Sequence, residues 1–187
     1  MWKRLSDWIH RVSTGRVALS ALTLFLLFTA LVLPGQAAKA EADTGNADSP
    51  DMSFYYTADD LYQMAKVYGE DGRKAYVKAR FTFDLIWPLV YTIFLGTGIS
   101  WVHHRAFASG SLWRRANMVP LLGALFDYLE NVSTSVVMVR YPSPTAVVDV
   151  LAGVFTLVKW IFVIGSFVLL LAGVVVGAMR WVRARGR

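Results

Sequence analysis

Four long apolar stretches separated by polar segments dominate the chain. Each approaches or exceeds the roughly 17–25 residues needed to cross about 30 Å of hydrocarbon as a helix. The first, 17–33, carries no charge. The second and third, 83–102 and 118–139, are joined by a basic loop at 103–117, and the fourth, 145–179, follows a short turn at 140–144. This pattern predicts an all-α integral membrane protein with four transmembrane helices in a small bundle. The fourth stretch is much longer than a span requires, so it is expected to tilt or else to send its last turns, from about Gly173, along the interface.

Between the first two stretches the pattern changes. Residues 34–56 are rich in Ala, Asp, Gly, Ser and Pro without periodicity and read as a flexible outer linker. Thr57, followed three residues later by Asp60, resembles a capping box with Asp in place of Glu. Leu61, Met64, Ala65 and Tyr68 then fall on one helical face, which predicts an amphipathic helix over 57–79 in the first extracytoplasmic loop. Gly69 and Gly72 are expected to end or hinge it. In the turn after the third stretch, Ser143 suits a helix N-cap and Pro144 the first helical position.

The first stretch has two readings. Pro34-Gly35 is a helix breaker and Ala38-Lys39-Ala40 has the small-x-small form of a cleavage site, so a signal peptide cleaved near residue 40 fits. A retained first span fits better, because the apolar run exceeds the usual signal core of about 7–15 residues and the basic leader is long.

Composition supports the membrane reading: 56% of the 187 residues are hydrophobic and the mean hydropathy is +0.45. The formal charge of +6 does not point to nucleic acid, because the basic residues sit at the ends of apolar segments rather than on a soluble face. There they act as topology signals and contacts for anionic lipid. Four Lys or Arg precede the first stretch, three lie in 103–117 and four follow Met179, against the single acid Asp7. Residues 34–82 hold six basic and eight acidic residues. The basic N-terminus 1–16, the 103–117 loop and the tail 180–187 are therefore expected in the cytoplasm. Trp2, Trp8, Trp87, Trp101, Trp113 and Trp181 fall near the expected interfaces. The chain has no cysteine, which removes disulfides and thiolate chemistry. Together with Ala-, Val- and Arg-rich usage, this suggests a bacterial inner membrane.

The residues a bilayer penalises carry the chemical interest. Asp127, Glu130, Asn131 and Thr134 share one helical face with Gly123 and form the best candidate site. Asp84 lies near the outer end of the second stretch beside Pro88, with Tyr91 on the same stripe. Lys159 lies on a face with Asp149, Thr156, Ala152 and Gly153. Asp84, Asp127 and Glu130 outnumber Lys159, so either Arg80 or Arg140 folds inward or one carboxyl holds a proton. Such acids mark proton or ion routes, or they bind helices together by hydrogen bonds worth well under ~2 kcal/mol each.

Weaker signals complete the picture. His103-His104 reads as a solvated turn, since no Cys or nearby carboxylate completes a metal-ligand set. Gly173 and Gly177 match the small-xxx-small helix-packing pattern. No hydrolase, metalloprotease or nucleotide-binding motif is present, no internal repeat marks a transporter, and no cofactor or metal is implied.

Four short spans, cytoplasmic termini, a long first outer loop and intramembrane acids resemble in topology the sterol-isomerase and sigma-2-receptor group. No motif matches residue by residue and the first span has no acid, so neither activity nor site is carried over. Three functions follow from the residues. The first is a non-catalytic membrane subunit or binding protein, partnered by the lipid bilayer and by a membrane protein or a second copy. The second is a proton-linked carrier using Asp127 and Glu130. The third is a membrane enzyme acting on a lipid-soluble substrate.

Overall fold

The computed structural model describes residues 2–45 and 48–185. It is all-helical, with no strand among the described residues. Three helical stretches are long and apolar enough to cross a membrane: Gly15–Thr44, Ala58–Ala106 and Val148–Arg185.

The short helix α1 (Trp2–Val12) leads through Ser13 and Thr14 into α2 (Gly15–Leu27), whose N-cap Thr14 accepts a hydrogen bond from Val17 N. Pro34 does not end the helix as expected. The backbone widens into a π-turn over Phe28–Val32, which absorbs the missing N–H, and α3 (Leu33–Thr44) continues with Pro34 in its first turn. The expected linker at 34–56 is thus helical to Thr44, because Ala37, Ala38, Ala40 and Ala42 are strong helix formers. α3 also has a surface to lean on. At Gly72 an added Cβ would lie 2.8 Å from the Asp43 carbonyl oxygen, an approach only glycine permits.

Residues 48–57 form a strap with a short 3-10 turn at Pro50–Met52. Next comes α4 (Ala58–Arg80), opened by a complete capping box: Thr57 Oγ1 accepts from Asp60 N, and Asp60 Oδ2 accepts from Thr57 N at 2.9 Å. Gly69, at φ +66°, kinks α4. Of the two expected hinge glycines, Gly69 bends the helix and Gly72 makes room for α3.

Three helices follow: α5 (Phe83–Ala106), α6 (Val119–Arg140) and α7 (Val148–Arg185), the last two packed along much of their length. α7 starts later than expected, and Ser143 and Pro144 do not cap it. Instead Thr145 N donates to Tyr62 Oη at 2.7 Å, and Val147 takes a left-handed φ of 76°, which delays the helix to Val148.

Two apolar clusters hold the body together. The outer one joins Tyr56, Leu61, Ala65, Tyr68, Tyr76, Val137, Met138 and Ala152. The inner one joins Ala21, Tyr91, Phe94, Leu95 and Ile99. Along α6 and α7 the buried charged residues Asp127, Glu130 and Lys159 fall between these clusters. The strap joins the first of these clusters through Tyr56 and lies close against α7, where an added Cβ on Gly153 would collide with the Tyr56 carbonyl oxygen. Gly153→Ala should therefore push the strap outward and lower stability by about 1–3 kcal/mol. Gly177→Ala, with nothing nearby to meet, should leave it unchanged. Thermal unfolding in detergent compares the two.

Candidate functional site

The polar face of α6 is turned wholly inward. Glu130 is 0% exposed and Asp127 8%, with Asn131 and Thr134 equally enclosed. A carboxylate out of water needs a partner, and α7 brings one: Lys159 Nζ lies 2.5 Å from Glu130 Oε2. One turn back on α6, Asp127 is held by neutral groups. Its Oδ2 accepts from Tyr91 Oη of α5 at 3.1 Å, and its Oδ1 accepts from Asn131 Nδ2 at 3.3 Å.

Thr134 shares the face but not the site. Its hydroxyl is returned to its own helix, donating to the Glu130 carbonyl at 2.9 Å. Asp149, on the Lys159 stripe, is likewise separate and accepts from Tyr62 Oη at 3.1 Å near the start of α7.

Asp84 belongs to a second charged group just outside the first. Arg80, at the end of α4, folds in and is almost fully buried, whereas Arg140 stays exposed. Its guanidinium binds Asp84 at 2.9 Å, forms an ion pair with Asp51 of the strap, and covers the Tyr76 ring at 4.4 Å. The sequence signal for this pair is the i,i+4 spacing of Arg80 and Asp84. Asp51 carried no such signal, because it lies in a segment with no periodicity.

Tyr56 is the other residue that sequence reasoning missed. Its phenol accepts from Thr156 Oγ1 at 3.1 Å, and burial, followed by the nearby Glu130 charge, pushes it well above the usual tyrosine range. Trp160 anchors the same strap, donating from Nε1 to the Ser53 carbonyl at 2.9 Å, while Lys159 Nζ stands 5.4 Å from its ring. The strap thus closes one end of the ionic layer.

Four acids, Asp51, Asp84, Asp127 and Glu130, are gathered here around two cations, Arg80 and Lys159. Asp127 makes no ion pair among the described residues. The two surface hollows described, one against Asp48, Tyr55 and Met64 and the other against Val77, Phe81 and Val136, are not lined by these charges. No group of three or more His, Asp or Glu is placed to hold a metal among the described residues.

At the other end of the bundle, His103 overturns the expectation of a solvated turn. It is 0% exposed, its Nδ1 lies 2.6 Å from the Trp113 carbonyl oxygen and its Nε2 2.8 Å from that of Leu169. A neutral imidazole has one N–H and can donate to only one of them. Gly173 makes this possible, since a Cβ there would overlap the ring; His104 remains exposed. The small-xxx-small pair therefore divides. Gly173 seats a histidine of the same chain, and Gly177 faces open space.

No known protein family, curated protein or solved structure matches the chain.

Breaking the buried pair on one side only leaves a naked charge, so Glu130→Gln or Lys159→Met should each cost about 3–5 kcal/mol. The double variant should recover most of that loss, which a double-mutant cycle measured by chemical unfolding will read. His103→Leu strips the one imidazole donor from these carbonyls and should cost about 1–3 kcal/mol for the bond lost.

Proposed function

We propose that this is a small multi-pass membrane protein acting as a non-catalytic subunit or binding protein, in which the buried charges bind helices together. The observation that carries this reading is the enclosure of Glu130 and Lys159 in a direct ion pair, with Asp127 engaged by Tyr91 and Asn131. Glu130 and Asp127 are each met by a side chain of a neighbouring helix.

In this reading α6 is a fourth span beside the three apolar stretches. Its 22 residues suffice to cross the hydrocarbon, and its penalised face is covered by α5 and α7. The first half of α4 then serves as an amphipathic cap on the outer side, with Leu61, Ala65 and Tyr68 inward. The excess of Lys and Arg in 1–16, 103–117 and 180–187 supports a cytoplasmic position for both termini, and the lack of cysteine with Ala-, Val- and Arg-rich usage favours a bacterial inner membrane. Retention of the first span is supported by complementary docking on the body, since Ser6 of α1 bonds Asn117 and Phe25 of α2 stacks on Trp87. Its partner would be another membrane protein or a second copy.

A second reading, the proton-linked carrier, is favoured by one observation: acids outnumber cations in the buried layer and Asp127 has neutral partners only. Asp127→Asn separates the two. An isosteric amide keeps the shape and can still meet Tyr91, so a structural role predicts a change in stability within about 1 kcal/mol and no proton flux in wild-type proteoliposomes. Wild-type flux that disappears in a stably folded Asp127→Asn variant would overturn the subunit reading in favour of the carrier.

A further inference from the structure

α1 is divided lengthwise into three sectors. One faces the protein: Ser6 is buried, its Oγ donates to Asn117 Oδ1 at 2.8 Å, and Asn117 Nδ2 donates back to the Ser6 carbonyl at 3.1 Å. His10 Nε2, 2.7 Å from the Arg114 carbonyl oxygen, extends the same seam. A second sector is apolar yet uncovered, with Trp2, Leu5, Trp8 and Val12 exposed to 58%, 40%, 53% and 39%. The third carries Lys3, Arg4 and Arg11 against the single acid Asp7.

The seam fixes the rotation of the helix, so the apolar sector is held outward by the fold. Only Ser13 and Thr14 separate the end of α1 from the start of α2 at Gly15, which places α1 at the level where the apolar span starts. A helix with an apolar side, a basic side and a fixed position at that level has the chemistry of an interfacial anchor.

We propose that α1 is a binding surface for anionic phospholipid. Its tryptophans and aliphatic side chains enter the acyl boundary, and Lys3, Arg4 and Arg11 meet the phosphates and acidic headgroups. The choice of lipid over protein rests on charge. The exposed apolar strip is bordered by three cations and one acid, complementary to an anionic membrane surface. Asn117 also donates to Ser100 Oγ at 2.9 Å, so the anchor is joined through one amide to α5 and the start of α6. The proposal rests on Gly15–Thr44 spanning the bilayer and is independent of any role for the buried charges.

The absence of native cysteine makes the test direct. Single-cysteine variants Leu5→Cys, Asp7→Cys and Leu24→Cys of the full chain are spin-labelled in nanodiscs of phosphatidylcholine with phosphatidylglycerol. Collision with oxygen and with a water-soluble nickel chelate is then compared. Labels at 5 and 24 should favour oxygen and the label at 7 should favour nickel. If 24 is not lipid-exposed, the spanning reading itself fails. If 24 is lipid-exposed but 5 is open to nickel, α1 does not enter the membrane, and if 5 is shielded from both reagents a protein covers it. Either result overturns the proposal. The headgroup claim is tested by native mass spectrometry of the same particles. Lys3→Gln with Arg4→Gln and Arg11→Gln should lower retained phosphatidylglycerol relative to phosphatidylcholine by at least about ten-fold. Unchanged retention would overturn that claim.

Discussion

The contact between Glu130 and Lys159 is the constraint around which the rest is arranged. Helices in lipid gain little from hiding apolar surface against one another, so they are aligned by what must not face lipid. A carboxylate on α6 and an ammonium on α7 each forbid every rotation and register that leaves the other unmet. With that register set, Thr156 reaches Tyr56, Trp160 reaches the Ser53 carbonyl, and Gly153 offers a bare backbone to the Tyr56 carbonyl. The strap is therefore seated by the residues that flank Lys159.

The second ionic group reinforces this order. Arg80 ends α4, Asp84 starts α5 and Asp51 lies in the strap, so one guanidinium ties these three segments together. The two apolar clusters lie on either side of this charged layer. The outer one packs the first half of α4 onto Val137, Met138 and Ala152, and the inner one packs α2 onto α5. Bulk packing supplies adhesion above and below, and the charges supply alignment.

Which parts of this were legible follows from what periodicity can report. The inward face of α6 was readable, because Asp127, Glu130 and Asn131 recur at helical spacing within one segment. So was the Thr57 cap, whose partner is three residues away. The contacts of Asp51 and Tyr56 were not, since both lie in a segment with no pattern of its own, and the Leu169 carbonyl facing His103 is distant from it in sequence. Pro34 misled for a different reason: a proline removes one hydrogen bond, and whether the helix stops or widens into a π-turn depends on the alanines beyond it and on α4 beside it.

α2 stands apart from this scheme. It contributes no charged residue to the layer, and it meets α5 through aromatic stacking, Phe25 against Trp87 and Phe94, and Phe28 against Phe83 and Trp87. Such contacts tolerate sliding and rotation far better than an ion pair does. Its alignment has to come from its ends. At one end, α1 is clasped by Asn117; at the other, α3 abuts Gly72 of α4. The polar bonds of Ser6 and the missing side chain of Gly72, both remote from the buried charges, thereby keep the least specific helix of the bundle in its place.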